Sequence, residues 1–202
     1  MVKKLIAFPY YGGKNLQLSW LLPLLPYTMR YVEPFGGSAA VLLNRERSPV
    51  EVYNDLDNNV VNFFRVLRDQ HDELRDLLYL TPYSKTAFHN AHEPTEDPLE
   101  KARRFFTLIR QSFMGTKRSW ATGLMLRAGW SLMVNRWLGG IEKLEAVVSR
   151  FTGVLIECRP ALYVIEAYDD PESFQYLDPP YVHEARATKE GYDYEMTNED
   201  HK

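Results

Sequence analysis

Along residues 49–54 apolar and polar side chains alternate as Pro49-Val50-Glu51-Val52-Tyr53-Asn54, the period-two pattern of a strand with one face buried. An earlier run, Arg30 to Phe35, predicts another short strand, and it ends in the Gly36-Gly37 turn. Ser38 to Arg47 is rich in good helix formers, with Ser38 placed to cap the first turn. Asp57 is similarly placed to cap a helix from Asn58 towards Leu80. The first 80 residues therefore predict strand, helix, strand, helix, an alternation that argues for a parallel sheet with helices packed on it.

Beyond that point the period becomes helical. Asp97-Pro98-Leu99-Glu100 combines a capping Asp, Pro in the first helical position and Glu three residues after the cap. Leu99, Ala102, Phe105, Phe106, Ile109 and Phe113 then recur at helical spacing until Gly115. Thr116 to Leu132 reads as loop, and Trp137, Ile141, Leu144, Val148 and Phe151 mark a further helix. Two more strands are predicted, Gly153 to Glu157 and Phe174 to Leu177, with a helical stretch around Ala161 to Ala167 between them. The fold class expected is α/β, with one sheet built by residues 1–68 and 153–202 and a mainly helical insertion at 69–152.

Composition narrows the setting. The 202 residues are 45% hydrophobic and 25% charged, which argues against disorder. Cys158 is the one cysteine, so no internal disulfide forms, no cysteine-based metal site is expected, and a reducing, cytoplasmic setting fits. No run approaches the roughly 18 uninterrupted apolar residues of a membrane helix, so no membrane partner is expected.

Charge changes the picture more. Residues 101–136 carry eight cations, Lys101, Arg103, Arg104, Arg110, Lys117, Arg118, Arg127 and Arg136, and no carboxylate, although the whole chain has a formal charge of -3. Such a stretch is a footprint for a polyanion, and its interleaved Phe105, Phe106, Phe113, Trp120 and Trp130 could serve a core or stack on bases. A solvated basic helix face would give the same count.

Three places could carry chemistry. Glu33-Pro34-Phe35-Gly36-Gly37-Ser38 sits where a strand hands over to a helix, beyond the strand ends where open α/β sheets bind ligands. Asp55, at the end of the second strand, stands where such folds hold both ribose hydroxyls of a nucleoside. G-x-G-x-x-G is absent and Glu33 would repel a pyrophosphate, so a neutral or cationic adenosine cofactor suits the pair. A plain turn followed by a helix-capping Asp would also look like this.

Asp178-Pro179-Pro180-Tyr181 follows the last strand, and its two prolines force an extended exit that holds Asp178 and the Pro179 carbonyl as acceptors. Those acceptors can take both hydrogens of a planar amino group while Tyr181 stacks on its ring; a surface turn is the other reading. Tyr10-Tyr11-Gly12-Gly13-Lys14 lacks the lead-in of a phosphate loop and alone is a tight turn beside a lysine.

In this order, Tyr10-Tyr11-Gly12-Gly13-Lys14, Val32-Glu33-Pro34-Phe35-Gly36-Gly37-Ser38, Tyr53-Asn54-Asp55 and Tyr176-Leu177-Asp178-Pro179-Pro180-Tyr181 resemble the Dam-like, D12-class adenine-specific DNA methyltransferases. The resemblance covers nearly the whole chain. It implies a Rossmann-like sheet binding S-adenosylmethionine, a double-stranded DNA substrate with the target adenine flipped out, and a target recognition domain between the two motif regions. By the same resemblance Tyr10, Gly12, Gly13 and Lys14 contact the cofactor, where the family more often has Trp at Tyr10. Glu33, Pro34, Phe35, Gly36 and Gly37 wrap its methionine end and Asp55 its ribose. Asp178, Pro179, Pro180 and Tyr181 form the catalytic motif, with Asp178 also beside the cofactor. Arg110, Lys117, Arg118 and Arg127 are the expected DNA contacts, to phosphate more than to base edges.

The carboxyl end departs from the pattern. Thr197-Asn198-Glu199-Asp200 announces a helix just before Lys202, and the family's further strands would follow there. The expectation is a sheet incomplete at its end: a fragment or silent remnant of such an enzyme, or a short form pairing as a homodimer through its open edge.

Overall fold

A computed structural model describes residues 4–180. Thr197 to Asp200 and Tyr181 lie outside the described residues. The chain divides into two compact units, residues 11–61 with 153–202, and residues 1–10 with 62–152.

The first unit holds a four-stranded sheet. Its strands are β1 (Arg30–Glu33), β2 (Val50–Asn54), β5 (Leu155–Glu157) and β6 (Ser173–Gln175), in the spatial order β5-β2-β1-β6. Every neighbouring pair is parallel, with Val32 opposite Val52 and Gln175. Among the described strands β5 and β6 are the edges. Helix α8 (Ala161–Ala167) covers one face, where Val164 meets Val32 and Val52 with Tyr168 packed alongside. Short helical turns at Lys14–Leu16 and Leu22–Leu24 flank α1 (Leu18–Leu21) before the sheet begins.

The helix expected over Ser38 to Arg47 is a correction: the segment folds as a succession of turns. Gly37 and Ala39 take positive φ, 48° and 54°, which a right-handed helix does not accommodate. The Asn44 amide also donates to the Ala40 carbonyl at 2.8 Å, a local bond that competes with helix bonding. Leu43 and Arg45 still complete isolated single turns through Ala39 and Val41. Ser38 consequently caps nothing.

The second unit is helical. It holds most of α2 (Asn58–Asp69), followed by α3 (His71–Leu80), α4 (Lys85–Asn90), α5 (Pro98–Gln111), α6 (Leu132–Ile141) and α7 (Leu144–Phe151). Asp57 caps α2 by accepting from the Asn59 N–H at 2.8 Å. The single helix expected to run to Leu80 is divided at Gln70, whose φ of -138° and ψ of 47° break the ladder. The helix through Phe151 is likewise two helices, and α5 stops at Gln111 ahead of a tight turn at Phe113–Gly115.

Asp97 caps α5 as expected, accepting from the Leu99 N–H at 3.1 Å. The core of this unit is aromatic: Phe63 stacks on Phe106 at 5.5 Å, Phe64 on Phe151 at 4.5 Å, and Phe8 meets Phe63 and Phe105 edge-on. Within the expected loop lies a hairpin, β3 (Leu126–Arg127) with β4 (Trp130–Ser131). No helix of the described residues is long and apolar enough to cross a membrane.

Candidate active site

Parallel strands deliver their carboxyl ends to one edge of a sheet, and here β1 ends on Glu33 while β2 and β6 carry Asp55 and Asp178 just beyond their ends. The turn after β1 is held closed by β2. Gly36 donates to the Asn54 carbonyl at 2.8 Å, and a Cβ at this position would overlap the Tyr53 ring and come within 2.9 Å of the Asn54 carbonyl oxygen. Glycine is required there by this close approach. The Tyr53 hydroxyl donates to the Gly37 carbonyl at 2.7 Å, and the Gly37 N–H donates to Asp55 Oδ2 at 2.7 Å. The Gly36 and Gly37 N–H groups are thus engaged by Asn54 and Asp55, and the segment that follows them is not a helix.

Asn54 extends the frame. Its amide nitrogen donates to the carbonyls of Pro34 and Arg159, and its amide oxygen accepts from the Arg159 N–H at 2.9 Å. The exits of β1, β2 and β5 are thereby tied to one buried side chain.

Asp55 is partly exposed, and its second oxygen accepts from the Asp57 N–H at 2.8 Å. Desolvation pushes its carboxyl up to about 6, against the opposing pull of the Asp57 and Gly37 N–H groups. Glu33 is buried, its Oε1 accepting from the Tyr31 hydroxyl at 2.6 Å. Ser38, 3% exposed, has a hydroxyl with no hydrogen-bond partner among the described residues.

From the amino-terminal side, Gly12 turns the chain with φ 73° and Lys14 Nζ donates to its carbonyl at 3.1 Å. The same ammonium lies 2.5 Å from Asp178 Oδ2, both side chains being largely shielded from solvent. Gly12, Gly13 and Lys14 are thus brought to the Asp178-Pro179-Pro180 segment, and β1 and β6 being neighbours puts that segment beside the Glu33 to Gly37 turn. Tyr10 falls in the helical unit, where its ring meets Phe8 edge-on at 5.9 Å.

Residues 10–202 match the family described as D12 class N6 adenine-specific DNA methyltransferase. The chain belongs to this family. It is 27% identical over 181 residues to a DNA N-6-adenine-methyltransferase of Escherichia phage P1, an alignment covering 86% of this chain and 24% of that protein. It is 25% identical over 194 residues to the type II methyltransferase M.MjaIII of Methanocaldococcus jannaschii, covering 84% of this chain and 66% of that one. The chain thus spans about a quarter of the phage protein's length and about two thirds of the archaeal protein's.

In this D12-class chain the eight cations of residues 101–136 have unlike surroundings. Glu100, just outside the stretch, pairs with Arg103 at 2.5 Å and Arg104 at 2.6 Å. Those partners, the Arg103 hydrogen bond foremost, pull the Glu100 carboxyl down to about 2. Arg110 turns inward: its guanidinium donates to the Arg136 carbonyl and lies where a Cβ at Gly140 would be. Burial, with Arg136 adding, lowers it to about 10. The expected phosphate contact at Arg110 is therefore placed as a brace between α5 and α6.

Arg118 and Arg127 are exposed, and the Lys117 backbone, with φ 62°, is fixed by Ser112 and His92. They stand on a loop and hairpin whose Leu124, Met125, Leu126 and Trp130 are each at least 66% exposed. Tyr53 and Asn54, noted in the sequence only as the run leading into Asp55, and Tyr31, which carries no motif signal, organise the site. Their contribution is a matter of which strand lies beside which.

Proposed function

We propose that the chain transfers a methyl group from S-adenosylmethionine to the N6 amino group of an adenine turned out of duplex DNA. The observation that carries the reading is the Lys14 to Asp178 ion pair at 2.5 Å, which joins the Gly12-Gly13-Lys14 turn to the Asp-Pro-Pro segment at the mouth of the sheet. Two carboxyl groups and the orphaned Ser38 hydroxyl around a closed glycine turn fit a cationic, hydroxyl-bearing nucleoside.

Glu33 with the Pro34 to Gly37 turn would hold its amino-acid end, Asp55 its ribose, and Gly12, Gly13 and Lys14 its remaining flank. When bound, S-adenosylmethionine supplies an electrophilic methyl on a sulfonium centre. The target nitrogen is a poor nucleophile because its lone pair is delocalised into the ring. Asp178 and the Pro179 carbonyl accept its two hydrogens, which favours a pyramidal nitrogen and localises that lone pair. Asp178 need not be a strong base, since the alkylated nitrogen sheds its proton readily, and Lys14 fixes the carboxylate's position. Catalysis is then orientation and electrostatics without a covalent intermediate. Tyr181 supplies the stacking face for the extruded base.

Residues 69–152 serve as the target recognition domain. Lys117, Arg118 and Arg127 contact phosphates, and the exposed apolar side chains of the hairpin lie against the duplex. The reading is tested by methyl transfer from labelled S-adenosylmethionine to unmethylated duplex DNA, with calorimetric cofactor binding on the same preparation. Label recovered as N6-methyladenine supports it. Cofactor binding without transfer overturns activity in this chain alone, and absence of both overturns the reading.

A further inference from the structure

Glu33 does not stand at the end of β1 unsupported. Residues 31 and 33 share one face of the strand, and the Tyr31 hydroxyl donates to Glu33 Oε1 at 2.6 Å, the short distance of a bond to an ionised acceptor. The phenol is itself fixed. Tyr31 is fully buried, its ring stacks on Phe174 of β6 at 6.2 Å and 18°, and the Arg45 guanidinium lies 3.9 Å over the ring centroid. Arg45 is in turn held by Ser48 Oγ at 2.9 Å and Glu51 Oε1 at 3.2 Å.

A phenylalanine would supply the same ring contacts without burying a hydroxyl, which costs free energy unless the group is bonded. Burial, with the charge of Glu33 adding, pushes the Tyr31 hydroxyl well above its ordinary value, so it remains a donor throughout the neutral range.

We infer that Tyr31 is a positioning residue for the methyl-transfer reaction: its phenol fixes the rotation of the Glu33 carboxylate so that this group can receive the ammonium of the cofactor's amino-acid end. The inference rests on the assignment of Glu33 to that end of S-adenosylmethionine. It extends the binding machinery to Tyr31, whose side chain lies wholly within the core.

Two ligands separate this role from a structural one. S-adenosylhomocysteine carries the amino-acid end, and 5′-methylthioadenosine has the same nucleoside and thioether without it. In calorimetric titrations, Tyr31→Phe should weaken S-adenosylhomocysteine about tenfold, the scale of one hydrogen bond to a charged group, and leave methylthioadenosine within about twofold. Glu33→Gln should show the same selectivity, and adding Tyr31→Phe to Glu33→Gln should weaken binding little further. Equal weakening of both ligands by Tyr31→Phe, or no change in either, overturns the positioning role. If Glu33→Gln does not discriminate between the ligands, the Glu33 assignment fails whatever Tyr31 does. If the unmodified chain binds neither ligand, the cofactor reading falls and the inference with it.

Discussion

Lys14 Nζ and Asp178 Oδ2 lie 2.5 Å apart, so a turn near the amino terminus and the segment leaving β6 meet as an ion pair shielded from solvent. Neither residue's neighbours in sequence hint at the other. A shielded pair broken on one side leaves a charge poorly solvated, so the two positions should be energetically coupled. Asp178→Ala should abolish methyl transfer with cofactor affinity changed by less than tenfold. Lys14→Ala should lower transfer strongly, and in unfolding free energy the double variant should be less destabilised than the sum of the singles, with a coupling of about 0.5–3 kcal/mol. Additive effects in that cycle would show that the pair is not used.

Asp55 predicts a pH dependence. If its carboxylate accepts the ribose hydroxyls, S-adenosylhomocysteine affinity should fall as pH is lowered through about 6, and Asp55→Asn should flatten that dependence. Titrations between pH 5 and 8 decide it. Stability runs with the opposite sense: a carboxyl raised from 3.8 to about 6 on folding stabilises the folded chain below the lower value, and that contribution is lost as pH rises through the upper one. Relative to Asp55→Asn, the native chain should therefore lose ground in thermal unfolding between pH 4 and 7, by a modest margin because the side chain is partly solvated.

At Gly36 even one methyl group is excluded by the Tyr53 ring. Gly36→Ala should destabilise the chain by about 1–3 kcal/mol in urea unfolding, the ordinary range for overpacking, and weaken cofactor binding because the turn must shift. Tyr53→Phe keeps the ring and removes only the bond to the Gly37 carbonyl, so its cost should be nearer 1 kcal/mol.

The cations of residues 101–136 should divide by their surroundings. Alanine at Lys117, Arg118 or Arg127 should each reduce the slope of log affinity against log salt for duplex DNA by about one. Alanine at Arg103 or Arg110 should leave the slope intact and lower stability, since Glu100 and the Arg136 carbonyl are their partners. A lowered slope for Arg110→Ala would return that side chain to the DNA surface.

These contrasts mark what the sequence could carry. The Asp97 cap, the α8 segment and the presence of β2 depend on nearest neighbours, and each stands where local pattern put it. The one-sided burial expected of β2 does not hold: as an inner strand it is buried on both faces, with Glu51 3% exposed and the apolar Val50 37%. Ser38 to Arg47 has helical composition, yet the bond from Gly36 to Asn54 and the left-handed Gly37 and Ala39 divert it, a tertiary constraint invisible to local preference. The break at Gln70 is hidden similarly, because apolar residues continue at helical spacing on both sides of it. Counting charge over residues 101–136 left out Glu100, one position earlier, and took no account of Arg110 facing inward. At the mouth of the sheet, motif order brought Glu33, Tyr53-Asn54-Asp55 and Asp178 to notice, whereas Tyr31, and the hydrogen-bonding roles of Tyr53 and Asn54, emerge only from strand adjacency.

The Asn54 side chain has a mechanical consequence. Because one amide grips the Pro34 carbonyl on one side and both backbone groups of Arg159 on the other, the loops leaving β1 and β5 cannot be displaced independently. Strain introduced at the Arg159 loop is therefore transmitted to the Glu33 to Gly37 turn. Substitutions around Arg159, well outside any recognisable motif, should in this way shift the Glu33 to Gly37 turn and, on the proposed function, weaken cofactor binding without removing any side chain of the turn.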